Sequence, residues 1–175
     1  MSTDRTATFK EEQRFHQPWL WILITVSSIL LIGIFGYGMY KQLLLGEPWG
    51  TNPMSDRLLL ILGPIYILLG VALYVLFRTT RLITEVRSDG LYVRFIPFHF
   101  SFKRFRFDEI EEYNIMTYRP IRDFGGWGIR IGPSGWAYNV SGNKGIYFIF
   151  RTGKKLMIGS QKPEEFARAL DSMIG

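Results

Sequence analysis

Arginine and tryptophan side chains cluster in a glycine-rich stretch in the second half of the chain. The cluster consists of Arg119, Arg122, Trp127, Arg130 and Trp136. Guanidinium groups beside aromatic faces and open glycine backbone suit a phosphate, sulfate or carboxylate, because arginine donates paired hydrogen bonds to such oxygens. The competing interpretation is that the glycines form tight turns, the tryptophans pack, and the arginines extend into solvent. The sequence therefore offers these five residues as candidate contacts for an anion or a partner.

A second basic set precedes this cluster. It consists of Arg78, Arg81, Arg87, Lys103 and Arg104. Basic side chains close to a membrane surface gain about 1 kcal/mol each from anionic headgroups. We expect these residues to contact lipid headgroups, with ordinary solvated surface charge as the alternative.

The sequence contains no pattern typical of a catalytic or metal site. Cysteine is absent, His16 and His99 are the only histidines, and neither lies near a zinc-ligand or triad pattern. Strand alternation sends the neighbouring acids Glu111 and Glu112 to opposite faces. The glycines match neither common nucleotide-binding fingerprint. We therefore predict no catalytic residues, no metal and no cofactor.

Two apolar segments could hold the candidate anion and headgroup contacts at a membrane. Pro18–Tyr40 and Leu58–Phe77 contain no Asp, Glu, Lys, Arg or His. A helix needs about 20 apolar residues to cross a hydrocarbon core of about 30 Å. Both segments are predicted to be transmembrane helices. The lack of charged groups inside them favours an anchor over a transporter or channel.

The basic residues that flank these segments predict the orientation. They are Arg5, Lys10 and Arg14 before the first segment, Lys41 and Arg57 between the two, and Arg78, Arg81, Arg87 and Arg94 after the second. The positive-inside rule then places both termini in the cytoplasm and predicts a two-span protein of the cell membrane. The net charge of +6 lies entirely in the part from Arg78 onward, because the residues before it carry equal numbers of acidic and basic side chains.

From Leu82 onward the apolar pattern changes to a period of two, which is typical of strands. Asp89-Gly90 is a hairpin signal. Phe98, Phe100 and Phe102 share one parity and the following phenylalanines have the other, so we expect a bulge or turn at Lys103-Arg104.

The chain ends in a different pattern. Pro163 suits a first helical turn, and an apolar face follows at Phe166, Ala169, Leu170 and Met173. About seven antiparallel strands followed by an amphipathic helix are the layout of a pleckstrin-homology-like (PH-like) barrel, in which the helix closes one end. The predicted fold class is thus a membrane α-helical hairpin plus a mainly-β domain, a PH-like antiparallel barrel with a C-terminal helix.

Four motifs give the chain a family resemblance. They are FKEEQRF at Phe9–Phe15, GGWGIR at Gly125–Arg130, YNVSGNKG at Tyr138–Gly145 and IGSQKPEEF at Ile158–Phe166. With them the chain resembles prokaryotic membrane proteins in which two spans precede a bacterial PH-like domain, an uncharacterised family with an FxEEQRF leader. The predicted division is a cytoplasmic leader at 1–17, transmembrane helices at 18–40 and 58–77, an external loop at 41–57 and a cytoplasmic PH-like domain at 78–175.

We expect a membrane-anchored PH-like binding or scaffold module without catalytic activity. Its expected partners are the lipid bilayer and either another protein or a second copy of itself, but not nucleic acid, because the aromatic residues follow strand periodicity. One alternative is a subunit of a small channel or transporter. The other is a membrane-bound enzyme with an anion pocket. That pocket would use Arg119, Arg122, Arg130 and Asp123 or Tyr138.

Overall fold

The structure of the protein is a computed structural model that describes residues 7–132 and 134–174. The chain divides into two compact units. One is a helical hairpin of residues 16–79, and the other, the β domain, combines the residues up to Phe15 with those from Thr80 onward. The leader residue Arg5, counted above among the basic flanks, lies outside the described residues.

The hairpin consists of two long apolar helices. Helix α1 spans Pro18–Met39 and is followed by a π-helical turn at Tyr40–Leu44, and helix α2 spans Asp56–Thr79. Both helices are long and apolar enough to cross a membrane, with mean hydropathies of 2.2 and 2.5. Many of their large apolar side chains are exposed, which a water-soluble protein rarely tolerates over so long a stretch.

The two helices approach each other closely at a glycine. A Cβ atom on Gly70 would lie 3.0 Å from the backbone oxygen of Ser28, so a larger residue there would push the helices apart. The rings of Phe35 and Tyr66 stack with their centroids 4.2 Å apart. Small residues at such contacts let apolar helices gain van der Waals packing.

The first sheet of the β domain is antiparallel and has four strands in the order β1-β2-β3-β4. Strand β1 spans Phe9–Arg14, β2 spans Arg81–Arg87, β3 spans Gly90–Ile96 and β4 spans Lys103–Phe105. Strands β2 and β3 form the hairpin that Asp89-Gly90 predicted.

The second sheet has five strands in the order β5-β8-β9-β7-β6. Its strands span Ile110–Thr117, Gly128–Gly132, Gly135–Asn139, Lys144–Phe150 and Lys155–Gly159, numbered β5 to β9 in chain order. A short helix, α3, covers Pro120–Phe124, and the C-terminal helix α4 covers Pro163–Ile174.

The barrel prediction is corrected by this topology. The described residues form two sheets rather than one closed barrel, because a 3-10 turn at Phe107–Glu109 interrupts the chain between β4 and β5 and no ladder joins the sheets. Strand β9 lies between β8, to which it is antiparallel, and β7, to which it is parallel. The parallel pair differs from the expected antiparallel arrangement. The described residues form nine strands rather than about seven, and one of the nine, β1, comes from the leader.

Strand β1 is the element that the sequence analysis missed. It pairs along its whole length with β2, from Phe9 opposite Val86 to Arg14 opposite Arg81. Its side chains alternate between buried and exposed. The hairpin of residues 16–79 is thus inserted in the chain between two neighbouring strands of one sheet.

Two buried polar side chains of β1 connect it to the end of β9. The carboxylate of Glu11 accepts a hydrogen bond from Ser160 Oγ at 2.6 Å and another from the backbone N–H of Gln161 at 2.8 Å. Gln13 Nε2 donates to the backbone oxygen of Gly159 at 2.7 Å. The FKEEQRF and IGSQKPEEF motifs therefore contact each other directly.

The C-terminal amphipathic helix is confirmed, with Phe166, Ala169 and Leu170 buried. The Phe166 ring stacks on Phe9 of β1, at 4.9 Å between centroids, and lies 6.1 Å from the Phe148 ring of β8. One aromatic side chain of α4 thus packs against both sheets.

We predict that Glu11→Ala lowers the free energy of unfolding of the β domain by about 2–4 kcal/mol. The substitution leaves the buried Ser160 hydroxyl and Gln161 N–H without their charged acceptor. The measurement is resistance to proteolysis in increasing urea, with full-length chains in detergent.

Glu12→Ala is the matched control, because Glu12 is the next residue along β1 and forms only partly exposed ion pairs with Arg14 and Arg81. Such pairs contribute about 0–1 kcal/mol. Equal losses in the two variants would contradict the role given to Glu11.

Candidate functional site

The first predicted arginines lie around the short helix α3. Arg119 precedes this helix and its backbone N–H donates to Asp123 Oδ2 at 2.7 Å, while Arg122 Nε donates to Asp123 Oδ1 at 3.1 Å. These two bonds, the backbone one foremost, hold the pKa of the Asp123 carboxyl below its ordinary value. Asp123 thus stabilises the start of the helix and partly neutralises Arg122.

The residues in the middle of the predicted cluster form hydrogen bonds to backbone oxygens of the β domain. Trp127 Nε1 donates to the backbone oxygen of Gly142 at 3.3 Å, and Arg130 Nε donates to the backbone oxygen of Trp127 at 2.9 Å. The Arg130 side chain lies along Gly126, whose φ of +126° favours glycine. These contacts order this stretch, and its anion- or partner-binding role stays a prediction.

Trp136, the last member of the cluster, lines a different feature. A pocket of about 460 Å³ lies between β4 of the first sheet and the β7, β8 and β9 strands of the second. Its charged and aromatic lining consists of Lys103, Arg104, Lys154, Lys155, Glu109, Trp136, Tyr138, Phe105 and Phe150. Four basic residues and one acidic residue therefore line one cavity with aromatic walls.

Lys103 is held over the aromatic wall of this pocket. Its Nζ donates to the Tyr138 hydroxyl at 2.9 Å and lies 5.4 Å from the centre of that ring and 5.8 Å from the centre of the Trp136 ring. A lysine over aromatic faces is attracted by the negative charge of the ring face. This arrangement orders the ammonium group without neutralising it.

The other basic side chains of the pocket differ in their partners. Arg104 bonds the backbone oxygen of Asp89 at 2.7 Å and pairs with the Asp89 carboxylate at 3.3 Å. Within the described parts of the chain, neither Lys154 nor Lys155 has an ion-pair partner, and the same holds for Lys103. The pocket lining thus includes three lysines that form no ion pair with a described carboxylate.

A close backbone contact builds this wall of the pocket. Gly135 has a φ of +99°, and a Cβ atom there would collide with the backbone oxygen of Lys155. Glycine is therefore required for β7 to approach β9 at this point. The contact sets Trp136 opposite Leu156, directly beside the lysines that follow the Thr152-Gly153 turn.

The predicted headgroup residues are dispersed. Arg78 is exposed in the last turn of α2 and Arg81 pairs with Glu12 at 3.2 Å. Arg87 pairs with Glu85 at 2.6 Å and lies 4.2 Å from the centre of the Tyr92 ring, so its charge is largely satisfied within the domain. Lys103 and Arg104 belong to the pocket.

The segment before β4 differs from its predicted form. Phe98, Phe100 and Phe102 lie in a loop over residues 97–102, and β4 begins only at Lys103, where a bulge was expected. His99 holds this loop: its backbone N–H donates to Phe95 O at 2.8 Å, and its Nδ1 accepts from Phe95 N–H at 3.1 Å. These local bonds replace strand pairing, so the alternation of phenylalanines does not mark a strand here.

The pocket contains residues that the sequence analysis did not single out. Lys154 and Lys155 directly follow the turn glycine Gly153. Two adjacent lysines after a hairpin turn are the sequence feature that could have indicated a basic site here. Tyr138 was considered only for an enzyme pocket. What the sequence does not reveal is the parallel β7–β9 pairing that places these residues beside Trp136.

Together, the fold and the pocket define a protein with two long apolar helices and a mainly-β domain of two sheets that has a basic cavity. A family model, a family of unknown function designated DUF6141, matches residues 2–175, and the chain belongs to that family. The comparisons with curated proteins and with solved structures return no match.

We predict that the stability of the β domain falls as the pH is lowered from 7.5 to 5. Burial, and then the nearby Lys103 charge, lower the pKa of His99 below its ordinary value of 6.5. The unfolded chain therefore binds a proton at a higher pH than the folded chain, so the stabilisation is complete above pH 6.5 and is lost as the pH falls through the folded pKa.

The measurement is the urea midpoint of proteolysis for the full-length chain at several pH values. The control is His99→Gln, which removes the titrating imidazole and is expected to flatten the part of the pH profile between 5 and 7. An unchanged profile in His99→Gln would show that other groups cause the pH dependence.

Proposed function

We propose that this protein is a membrane-anchored binding module. The hairpin crosses the cell membrane twice and anchors a PH-like β domain at the cytoplasmic face, where the domain binds an anionic group without catalysing a reaction. The observation that carries the binding role is a pocket lined by Lys103, Lys154 and Lys155, three lysines for which the described residues provide no ion-pair partner.

The exposed apolar surface of the hairpin supports the membrane location. Ile22 of α1 is 64% exposed and Leu68 of α2 is 66% exposed. Large contiguous apolar surfaces of this kind require an apolar environment. Lipid tails satisfy this requirement along helices of this length.

The pairing of β1 with β2 supports the proposal that both ends of the hairpin face the same side of the bilayer. Arg14 and Arg81 are opposite each other at the end of this strand pair. Residues 15–17 then lead into α1, and Thr80 alone separates α2 from β2. Together with the positive-inside rule, this connectivity favours cytoplasmic termini.

The packing of α4 supports the PH-like assignment of the β domain. The PH-like layout has a helix after the last strand, and here α4 follows β9 and buries Phe166 against strands of both sheets. The open arrangement of the two sheets is the departure from the PH-like pattern.

The charge balance of the pocket supports an anionic ligand. Like charges in one cavity repel, and an anion removes that repulsion while accepting charge-assisted hydrogen bonds from the ammonium groups. Trp136 and Tyr138 add apolar faces on which a ring or other planar part of the ligand can lie. Phosphate or carboxylate groups, free or in lipid headgroups, share this chemistry.

Inorganic pyrophosphate is the probe for the pocket. We predict that replacing Lys154 and Lys155 together by glutamine weakens its binding about ten- to hundredfold, since a hydrogen bond to a charged group contributes about 1.5–3 kcal/mol and 1.4 kcal/mol is about tenfold. The measurement is calorimetric titration of the full-length chain in uncharged detergent.

Lys144→Gln is the control, because Lys144 is a basic residue of β8 outside the pocket lining that pairs with Glu164 at 3.9 Å. An equal loss in the control, or no pyrophosphate binding by the native chain, would contradict the proposal. Repeating the titration in nanodiscs with and without anionic lipid distinguishes lipid headgroups from soluble anions as the ligand. If headgroups occupy the pocket, anionic lipid weakens pyrophosphate binding. If the ligand is soluble, anionic lipid leaves pyrophosphate binding unchanged.

A further inference from the structure

The loop over residues 97–102 carries two conspicuously exposed aromatic side chains. Phe98 is 56% exposed and Phe100 is 94% exposed. An almost fully exposed phenylalanine contributes nothing to the packing of its own domain. We propose that this loop inserts its phenylalanines into the headgroup region of the bilayer, as a third contact with the membrane besides the two helices; this inference rests on the membrane anchorage proposed above.

The strand register locates the loop at a particular end of the first sheet. Arg14 is opposite Arg81, and Arg81 is in turn opposite Ile96, so these three residues form one row across β1, β2 and β3. The loop leaves β3 directly after Ile96. It therefore projects from the end of the sheet at which β1 ends and β2 begins.

The connections to the hairpin leave the β domain at this same end. The chain enters α1 after residues 15–17 and returns from α2 through Thr80. A chain extends at most about 3.6 Å per residue, so residues 15–17 and Thr80 give this end of the sheet only a short covalent connection to the helices proposed to cross the membrane. By contrast, the β2–β3 turn at Ser88 lies at the opposite end of the same strands.

The chemistry of the loop suits a membrane interface. Its sequence, PFHFSF, contains no acidic residue, and Lys103 follows it immediately. Phenylalanines beside basic groups favour the boundary between headgroups and acyl chains. A bilayer is therefore the occupant that the connectivity and the composition of this loop both favour over a protein partner.

The loop is also held in shape before it meets any lipid. His99 closes it with the two hydrogen bonds to Phe95, and the backbone oxygen of His99 accepts from Arg94 Nε at 3.2 Å. The His99 ring packs edge-on against Tyr138 at 5.4 Å. A loop ordered in advance loses less conformational entropy on insertion.

Nitroxide labels on single cysteines test the inference, because the native chain contains no cysteine. The labelled variants are Phe100→Cys in the loop, Ser88→Cys at the opposite end of the sheet, and Leu69→Cys on the exposed surface of α2. Each full-length chain is placed in nanodiscs of mixed phosphatidylcholine and phosphatidylglycerol, one copy per disc. The measurement is the ratio of label accessibility to oxygen, which partitions into lipid, and to a water-soluble nickel complex.

We expect the ratio at position 100 to exceed that at position 88 several-fold and to approach that at position 69. Equal ratios at positions 100 and 88, with a lipid-like ratio at position 69, would overturn the inference and leave the membrane anchorage intact. A water-like ratio at position 69 would overturn the anchorage itself. A label at position 100 that is immobilised and shielded from both reagents would indicate a protein contact instead and would also overturn the inference.

Discussion

The buried carboxylate of Glu11 is the constraint on which the arrangement of the β domain depends. A charge removed from water must be compensated by hydrogen bonds, and here they come from Ser160 and the Gln161 backbone, on the segment that joins β9 to α4. Gln13 adds a bond to Gly159 from the same strand. These bonds connect β1, an edge strand of the first sheet, to the end of β9 and the segment that follows it.

The pairing of β1 with β2 determines how the hairpin is joined to the β domain. The chain leaves the β domain after β1, forms the hairpin and returns into β2. β1 and β2 are neighbouring strands of one sheet. The β domain and the hairpin are therefore joined at two points of the chain, residues 15–17 and Thr80.

The sequence predicts the elements whose apolar pattern is strong, and these are α1, α2, the β2–β3 hairpin and the buried face of α4. It does not predict β1, because Glu11 and Gln13 occupy inward positions that a binary pattern assigns to apolar residues, and their partners lie far away in the chain. The sequence also does not predict the pocket, because its lining residues lie far apart in the chain. Lys103 and Lys155 come from different sheets, and the Gly135 contact that sets Trp136 beside Lys155 is visible only in three dimensions.

The central claim is that the leader is a strand of the β domain, and amide hydrogen exchange of the full-length chain in nanodiscs tests it directly. A strand that is paired along its length exchanges only when the sheet opens. The account predicts that the backbone amides of residues 9–14 that bond to β2 exchange as slowly as those of residues 82–86. Exchange of residues 9–14 at the rate of an unstructured peptide, with residues 82–86 protected, would contradict it.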